Sequence, residues 1–334
     1  MTDTLNTTIR LASRPTGLPD ARTWAIVDEP VRAPGAGEVL LKTAYISLDP
    51  AMRGWLNEGK SYIPPVAIGE VMRAGAVSEV MASNDPAFAP GDFVYGVTGV
   101  QTHYTGPAKD FAKVDPKAAP LASYTGGLGM PGMTAYFGLL DTGVYKDGET
   151  LVVSGAAGAV GSVAGQIAKL KGGKVIGIAG GPDKCRTVVE DFGFDACIDY
   201  KSENVGKRLR ELCPTGIDVY FDNVGGDILE AALANIATRG RIVICGAISS
   251  YNDFSAIKGP RNYLNLLVMR ARMEGLVVFD FAKRYPEAQA DILKWMQAGK
   301  LKLKEDVREG IRNFPEVLNL LFSGGNTGKL VLKP

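Results

Sequence analysis

The chain has very little of what metal centres and histidine-dependent nucleophilic sites require. It contains one histidine, His103, and four cysteines among 334 residues, and no two cysteines form a C-x-x-C pair. A zinc site needs clustered cysteine, histidine or acidic ligands. A hydrolase of the Ser-His-Asp or Cys-His type would have to be built on His103, and no nucleophile-elbow motif accompanies it. We therefore expect no metal, and we interpret His103 as a loop or surface residue.

An excess of charge and an apolar leader are also lacking. Lysine and arginine total 37 against 36 aspartate and glutamate residues, so nothing electrostatic points to nucleic acid or an acidic membrane. The first ten residues are polar, unlike a signal peptide. The uncharged run 151–168 is rich in glycine and too weakly apolar for a typical membrane span. We expect a cytoplasmic protein with four reduced thiols, which are Cys185, Cys197, Cys213 and Cys245.

A strand, a glycine turn and a helix are predicted over 150–173. Leu151, Val152 and Val153 form a short buried-strand pattern, and glycines follow at a spacing of three. The apolar residues after them recur at helical spacing. Such a turn exposes backbone N–H groups and a helix N-terminus to a phosphate. This is a variant of the dinucleotide fingerprint, although a glycine turn without a ligand would give the same pattern.

The rest of the chain predicts two domains. Residues 1–125 show short alternating runs and turn signals, as in a β-barrel-like domain. From Glu149, strands alternate with helices, which indicates an α/β fold with a doubly wound parallel sheet whose sixth strand lies near 275–279. The tail returns to strand patterns at 301–305 and 329–333. We therefore expect a discontinuous substrate domain, 1–125 with 302–334, and a dinucleotide-binding domain, 126–301.

The residues after the second predicted strand favour NADP over NAD. An NAD site usually carries an acidic residue about 20 positions beyond the fingerprint, to hold the ribose hydroxyls. Here that position reads Ala179-Gly-Gly181, and Lys184 and Arg186 follow. This segment therefore contains no carboxylate that could repel a 2′-phosphate. The polar segments 222–226 and 246–252 follow two further strands, where the nicotinamide ribose would lie.

Several motifs together resemble one known family. They are the glycine segment 153–168, Ser47-Leu-Asp-Pro50, Gly129-Met-Pro-Gly132, Phe221-Asp-Asn-Val-Gly-Gly226, the segment 245–252 and 324–329. Together they resemble the zinc-independent medium-chain dehydrogenase/reductases, in the branch of prostaglandin, alkenal double-bond and curcumin reductases. The resemblance implies a GroES-like β-barrel domain, a Rossmann domain and a homodimer. It also implies NADPH-dependent reduction of the C=C bond of α,β-unsaturated ketones and aldehydes.

The resemblance also implies particular site residues. The pyrophosphate would face Gly158, Ala159, Val160 and Gly161, and the 2′-phosphate would be held by Lys184 and Tyr200. The remaining cofactor contacts would be Asn223, Cys245, Gly246, Ala247, Ile248, Ser249, Ser250, Tyr251, Leu276, Val277, Val278 and Asn326.

Tyr251 resembles the tyrosine that touches the substrate carbonyl in this family. A neutral O–H donor at that oxygen would stabilise the charge that builds there after hydride transfer, and Tyr251 or water would protonate the α-carbon. The bland alternative is a loop tyrosine that packs on the cofactor. Tyr62 is a further candidate substrate contact, with Tyr45 and Trp55 as other pocket aromatics.

One departure and two alternatives remain open at this stage. The family pattern Asp-Pro-Tyr-Met-Arg here has Ala51 in place of the tyrosine, which predicts a wider pocket. A quinone reductase of the same fold would use the same cofactor. A non-catalytic NADPH-binding protein would have the same glycine turn and helix N-terminus, since fold alone does not fix function.

Overall fold

The computed structural model describes residues 4–253, 257 and 259–334, and the chain divides into two compact units. Unit 1 comprises Met1–Gly126 and Glu305–Pro334, and unit 2 comprises Gly127–Lys304. The strands of the described chain are β1 Leu5–Leu11, β2 Trp24–Pro30, β3 Glu38–Ser47, β4 Gly75–Ser83, β5 Phe93–Val97, β6 His103–Pro107, β7 Ala112–Val114, β8 Thr150–Ser154, β9 Lys174–Ala179, β10 Ala196–Asp199, β11 Ile217–Asp222, β12 Ile236–Ile244, β13 Arg272–Gly275, β14 Glu305–Glu309 and β15 Lys329–Lys333.

The α-helices of the described chain are mostly in unit 2. They are α1 Ala51–Trp55, α2 Met130–Phe137, α3 Ala159–Leu170, α4 Pro182–Arg186, α5 Val205–Leu212, α6 Gly226–Leu233, α7 Leu264–Met269, α8 Tyr285–Gln297 and α9 Phe314–Ser323. Helices α2 and α4 each continue into a π-helical turn, over Gly138–Thr142 and Thr187–Asp191.

Unit 1 is built on a mostly antiparallel sheet in the order β14-β15-β3-β4-β5-β7, with β6 also paired to β3. The C-terminal strand β15 pairs with β3, so the tail of the chain is part of the first unit's sheet. Apolar residues from β1, α1 and α9 share one core, in which the rings of Trp24 and Phe314 meet edge to face at 5.0 Å. This is the GroES-like part of the predicted fold class.

A buried ion pair fastens the tail of unit 1 to the segment after β3. The ammonium of Lys329 donates to the backbone oxygen of Leu48 and to Oδ1 of Asp49, both at 2.7 Å. The other carboxylate oxygen of Asp49 accepts from the hydroxyl of Ser47 at 2.5 Å. Only 4% of Lys329 is exposed, and burial lowers its pKa while Asp49 opposes that shift. Both charges are therefore compensated inside the protein.

Unit 2 contains the parallel sheet, in the order β10-β9-β8-β11-β12-β13. Each neighbouring pair in this order is parallel. Numbered within the unit, the order is 3-2-1-4-5-6, which is the doubly wound Rossmann arrangement. Strands β8 and β11 are buried over most of their length because helices cover both faces of such a sheet. The predicted α/β fold class is confirmed.

Several predicted elements were wrong in position. The sixth parallel strand was expected near 275–279, whereas β13 ends at Gly275, because its pairing with β12 runs only from Arg272 to Gly275. The tail strand expected at 301–305 begins at Glu305, where pairing with β15 starts. The sequence pattern of 227–237 predicts one helix, whereas α6 ends at Leu233, since Ile236 already pairs with Ile217 of β11. Strands β1, β2 and β4 and helices α1 and α7 were missed.

His103 is also corrected by the structure. It begins strand β6 and pairs with Lys42 of β3, so it is not a loop residue. Its ring is half-buried and its Nδ1 lies 3.1 Å from the hydroxyl of Thr102. Burial, with Lys42 in a smaller role, lowers the pKa of His103.

Among the described residues, no helix combines the length and apolar character that a membrane crossing requires.

The buried ion pair predicts a large loss of stability for Lys329→Met. Removing the ammonium leaves the carboxylate of Asp49 buried without its partner, which costs about 3–5 kcal/mol in the free energy of unfolding. The matched control is Lys333→Met on the same strand, where an exposed pair with Glu309 contributes less than about 1 kcal/mol. Denaturant-induced unfolding measures both, and equal effects of the two variants would contradict this account.

Candidate active site

The carboxyl ends of the parallel strands position the candidate site in unit 2. Strand β8 lies between β9 and β11, so the chain turns in opposite directions on its two sides. Ligands of open α/β sheets bind at such a reversal point, beyond the carboxyl ends of the strands. The glycine turn after β8 lies there, together with the loops that follow β9, β11 and β12.

The glycine turn forms a close-fitting cradle of backbone. Gly155 has φ +62°, a conformation that L-residues with side chains rarely adopt. A Cβ placed on Gly161 would lie 2.4 Å from the backbone oxygen of Gly155, so only glycine fits there. Gly158 is the residue before α3, and the N–H groups of Ala159, Val160 and Gly161 lie in the first turn of this helix. N–H groups of a first turn have no partner within their own helix and attract phosphate. These residues fit a dinucleotide pyrophosphate.

Asp222 organises the loop that follows β11. Its Oδ1 accepts hydrogen bonds from four donors, at 2.9–3.0 Å, which are Ser154 Oγ, Tyr220 OH, Val224 N and Gly225 N. The residue is 1% exposed. Burial raises the pKa of the Asp222 carboxyl, and the N–H groups of Gly225 and Val224 oppose that shift. The carboxyl thus fixes the backbone of its own loop.

Asn223 connects this loop to the glycine turn. Its side-chain amide donates to the backbone oxygen of Ser154 at 2.7 Å, and its own N–H donates to Ser154 Oγ at 2.9 Å. A Cβ on Gly155 would lie 3.4 Å from that of Asn223. Asn223 is thereby held next to the glycine turn, at the end of the neighbouring strand.

The segment from Cys245 to Tyr251 packs on the Asp222 loop. The N–H groups of Cys245 and Gly246 both donate to the backbone oxygen of Asp222, at 2.9 and 3.1 Å. Further along, Ile248 N donates to Asn223 O at 3.3 Å, and Ser249 bonds the backbone oxygen of Val224. Burial raises the pKa of the Cys245 thiol to about 12, so this cysteine is a protonated packing group at neutral pH.

The side chain of Tyr251 folds back over its own loop. Its hydroxyl accepts a hydrogen bond from the N–H of Ala247 at 3.3 Å, and a Cβ on Gly246 would lie 2.9 Å from this oxygen. The loop contains Ala247, Ile248, Ser249 and Ser250 between these points, with Ile248–Ser250 in a single 3₁₀ turn. The phenol is therefore presented at the carboxyl end of β12.

The segment after β9 forms the second end of the candidate site. Gly181 has φ +95°, and its N–H donates to Oδ1 of Asp199 at 2.8 Å. The ring of Tyr200 covers Gly180, where a Cβ would lie 2.8 Å from its hydroxyl oxygen. Lys184 follows in α4 and is partly exposed, while Arg186 is paired with Asp183. Lys184 and Tyr200, which are 16 positions apart in sequence, are thus both close to Gly180 and Gly181.

The remaining predicted residues lie elsewhere in the two units. Leu276 follows β13, and its N–H donates to Ile244 O at 3.0 Å, which places Leu276, Val277 and Val278 near the end of β12. Asn326 belongs to unit 1, where its amide donates to Gly328 O. Tyr62 also belongs to unit 1 and is 56% exposed, with its hydroxyl accepting from Trp55 Nε1 at 3.3 Å. Their roles stay predictions.

Sequence reasoning missed Ser154, Asp222 and Asp199 as individual site residues. Each is a short polar residue at the last position of a strand, and each bonds to the backbone or the carboxylate of a neighbouring strand's loop. That position was the available signal, since the last residue of a buried parallel strand is already at the ligand-binding edge. Within the described part of the chain, no group of three or more histidine, cysteine or acidic residues could hold a metal ion.

Comparison with known proteins gives a consistent set of relatives. A family model for the N-terminal domain of oxidoreductases matches residues 7–114, and one described as zinc-binding dehydrogenase matches 159–295. The NADPH-dependent curcumin reductase of Escherichia coli is 42% identical over 97% of this chain and 95% of its own length. The NADP⁺-dependent 2-alkenal reductase of Nicotiana tabacum is 42% identical, over 89% and 88%.

Solved structures agree with these relatives. CurA from Vibrio vulnificus in complex with NADPH is 42% identical, covers 98% of each chain and superposes with a TM-score of 0.93. A quinone oxidoreductase from Pseudomonas syringae is more distant, at 25% identity and a TM-score of 0.78 over 98% of this chain. By both identity and TM-score, this chain is thus more similar to CurA than to this quinone oxidoreductase.

The position of Lys184 near Gly180 and Gly181 predicts that Lys184→Gln weakens the binding of NADPH but not that of NADH. Losing one charge-assisted hydrogen bond to a phosphate raises the dissociation constant of NADPH by about 10- to 100-fold. The constant for NADH, which lacks that phosphate, changes by less than about 2-fold on the same reasoning. Fluorescence titration measures both, with Lys207→Gln on the exposed face of α5 as the matched control. An equal loss for both coenzymes would contradict a role at the 2′-phosphate.

Proposed function

The chain belongs to the zinc-independent medium-chain dehydrogenase/reductases, in the branch of curcumin, alkenal and prostaglandin reductases, and from this premise we propose its reaction. It is an NADP-dependent oxidoreductase that reduces the C=C bond of α,β-unsaturated ketones and aldehydes. The observation that carries this conclusion is the similarity over nearly the whole chain to NADPH-dependent reductases, among them a 2-alkenal reductase.

The loops at the carboxyl edge of the sheet support the assignment of the cofactor. The first turn of α3 would hold the pyrophosphate, and Lys184 with Tyr200 would hold the 2′-phosphate. Asn223, the segment Cys245–Tyr251, residues 276–278 and Asn326 would hold the rest. Asp199 is an acidic residue near this end, and its Oδ1 accepts from Gly181 N and Lys201 N. Those bonds lower the pKa of Asp199 and engage its charge with the backbone.

The bound cofactor would supply the hydride that is added to the β-carbon of the enone. Tyr251 would donate its O–H to the substrate carbonyl oxygen, where negative charge builds as the C=C bond is reduced. The N–H of Ala247 bonds the same phenol oxygen and orients it. An accepted hydrogen bond also strengthens the donor character of a hydroxyl. Tyr251 or water then delivers a proton to the α-carbon, which completes the reduction.

Two features of unit 1 bear on the substrate within this proposal. Tyr62 is exposed and is assigned as a substrate contact, with Trp55 as its hydrogen-bonded neighbour. Ala51 begins α1 where the family pattern has tyrosine, so the proposal includes a pocket wider at this point. Enones with bulky substituents next to the alkene are therefore included in the proposed substrate class.

A homodimer and a cytoplasmic location complete the proposal. Strand β13 is the outer strand of its sheet and is exposed over its length, and α7 before it exposes Leu264, Leu267 and Val268. An open edge beside an apolar helix is normally covered. A second copy, paired strand to strand at β13, would cover both. Four unpaired thiols are consistent with a reducing compartment.

The reaction is tested with purified protein, NADPH and two panels of acceptors, enones of increasing size and quinones. We expect NADPH consumption with the enones and, in product analysis, a ketone with a saturated C–C bond. Preferred reduction of quinones with the enones untouched would support the alternative enzyme class. Tight binding of NADPH without turnover of any acceptor would indicate the non-catalytic alternative.

Tyr251→Phe tests the proposed carbonyl contact. Loss of one donor at the developing oxyanion lowers turnover of an enone by about 10- to 1000-fold, without abolishing it. The matched control is Tyr124→Phe, where the lost hydroxyl bonds only the backbone oxygen of Asp115 among the contacts described. Steady-state kinetics with a saturating enone provide the measurement. Unchanged turnover in Tyr251→Phe would remove this residue from the mechanism.

The dimer is tested by light scattering on purified protein. We expect twice the chain mass for the native sequence. Leu267→Glu places a charge on the most exposed apolar residue of α7 and should shift the mass to that of one chain. A dimer that persists in Leu267→Glu, or a native monomer, would contradict the proposed interface.

A further inference from the structure

Two thiols face each other in unit 2 at the predicted adenosine end of the cofactor site. Sγ of Cys185, in α4, lies 3.0 Å from Sγ of Cys197, in β10. Both cysteines are free and both are partly exposed. The separation is about 1 Å longer than an S–S bond, so bond formation needs α4 and β10 to approach by no more than about 1 Å at these residues. The other two cysteines lie elsewhere in the fold: Cys213 directly follows α5, and Cys245 directly follows β12.

The two thiols adjoin the residues assigned to the 2′-phosphate. Cys185 directly follows Lys184, and its N–H donates to Gly181 O at 3.2 Å. Cys197 lies on the same short strand as Asp199, whose carboxylate holds the N–H of Gly181. Tyr200, which covers Gly180, follows Asp199. The pair thus bridges the helix and the strand between which the phosphate would be held.

We propose that Cys185 and Cys197 form a reversible disulfide that weakens the hold of this chain on the phosphorylated adenosine of its coenzyme. This inference rests on the proposed function for the identity of the coenzyme. The oxidant is a peroxide. Two thiols and one hydrogen peroxide give one S–S bond and two molecules of water, so the sulfurs lose two electrons and two protons and the O–O bond breaks.

The reduced pair is stable without an oxidant. Burial raises the pKa of the Cys185 thiol, and burial with the neighbouring Cys185 sulfur raises that of Cys197. Both groups are therefore thiols at neutral pH, and the thiolate is the reactive form. The separation between the sulfurs, rather than unusual acidity, favours their reaction with each other once one of them is oxidised.

The disulfide would act on the coenzyme through Lys184. Closing the gap draws α4 and β10 together by about 1 Å at Cys185, and Lys184 is the adjacent residue. Charge-assisted hydrogen bonds to phosphate have a narrow range of lengths, so a displacement of this size weakens one. NADH has no 2′-phosphate, and its binding should change little.

The experiment uses the full chain, reduced and desalted, and then treated with hydrogen peroxide in the absence of coenzyme. Peptide mapping by mass spectrometry should find the peptides of Cys185 and Cys197 joined, with the loss of two hydrogen masses. Fluorescence titration should then show the NADPH dissociation constant raised by about 10-fold and that of NADH changed by less than about 2-fold. Dithiothreitol should restore both constants, which irreversible overoxidation would prevent.

Three variants provide the controls. Cys185→Ser and Cys197→Ser should each lose the response to peroxide, and Cys213→Ala should respond as the native chain does. Absence of the joined peptide, or a joined peptide with unchanged NADPH binding, would overturn the proposal. If the reduced chain already binds NADPH no better than NADH, the coenzyme assignment fails before any oxidant is added. The joined peptide would then still report the disulfide separately.

Discussion

The candidate site depends on one buried carboxylate that accepts hydrogen bonds from two strands and its own loop. Asp222 Oδ1 accepts from Ser154 at the end of β8, from Tyr220 on its own strand and from two N–H groups of the following loop. Its backbone oxygen accepts from the N–H groups of Cys245 and Gly246 after β12. Buried polar groups are costly unless paired, so these bonds hold three loops in one arrangement. The backbone that would contact the cofactor is thereby preorganised.

A second carboxylate that accepts hydrogen bonds from the backbone lies at the other end of the candidate site. Asp199, the acidic residue near the proposed adenosine end, bonds backbone N–H groups and the hydroxyl of Ser202. Lys184 lies three residues after Gly181, in α4. A carboxylate engaged by the backbone repels a phosphate less than one that faces it. Preference for a phosphorylated coenzyme would then follow from the contacts of Asp199 as much as from the presence of Lys184.

The sequence predicted the parts of the fold that local pattern determines. The glycine turn after β8 and the strands of the parallel sheet could be predicted because a buried apolar run followed by glycines and a 3.6-residue period has few other solutions. The position of β13 could not, because that strand is exposed over its length and carries no apolar pattern. Asp222 and Ser154 were missed as site residues for a different reason. Their positions at the ends of two buried strands could be predicted, but the bond between them joins residues 68 positions apart in the chain, and no local pattern encodes such a pairing.

The account as a whole is tested most directly by following the transferred hydrogen. NADPH deuterated at the transferable position of the nicotinamide is incubated with the protein and an α,β-unsaturated ketone, and the product is analysed by NMR. The account predicts a saturated ketone with deuterium on the former β-carbon. Deuterium on the carbon of an alcohol, with the alkene intact, would contradict it.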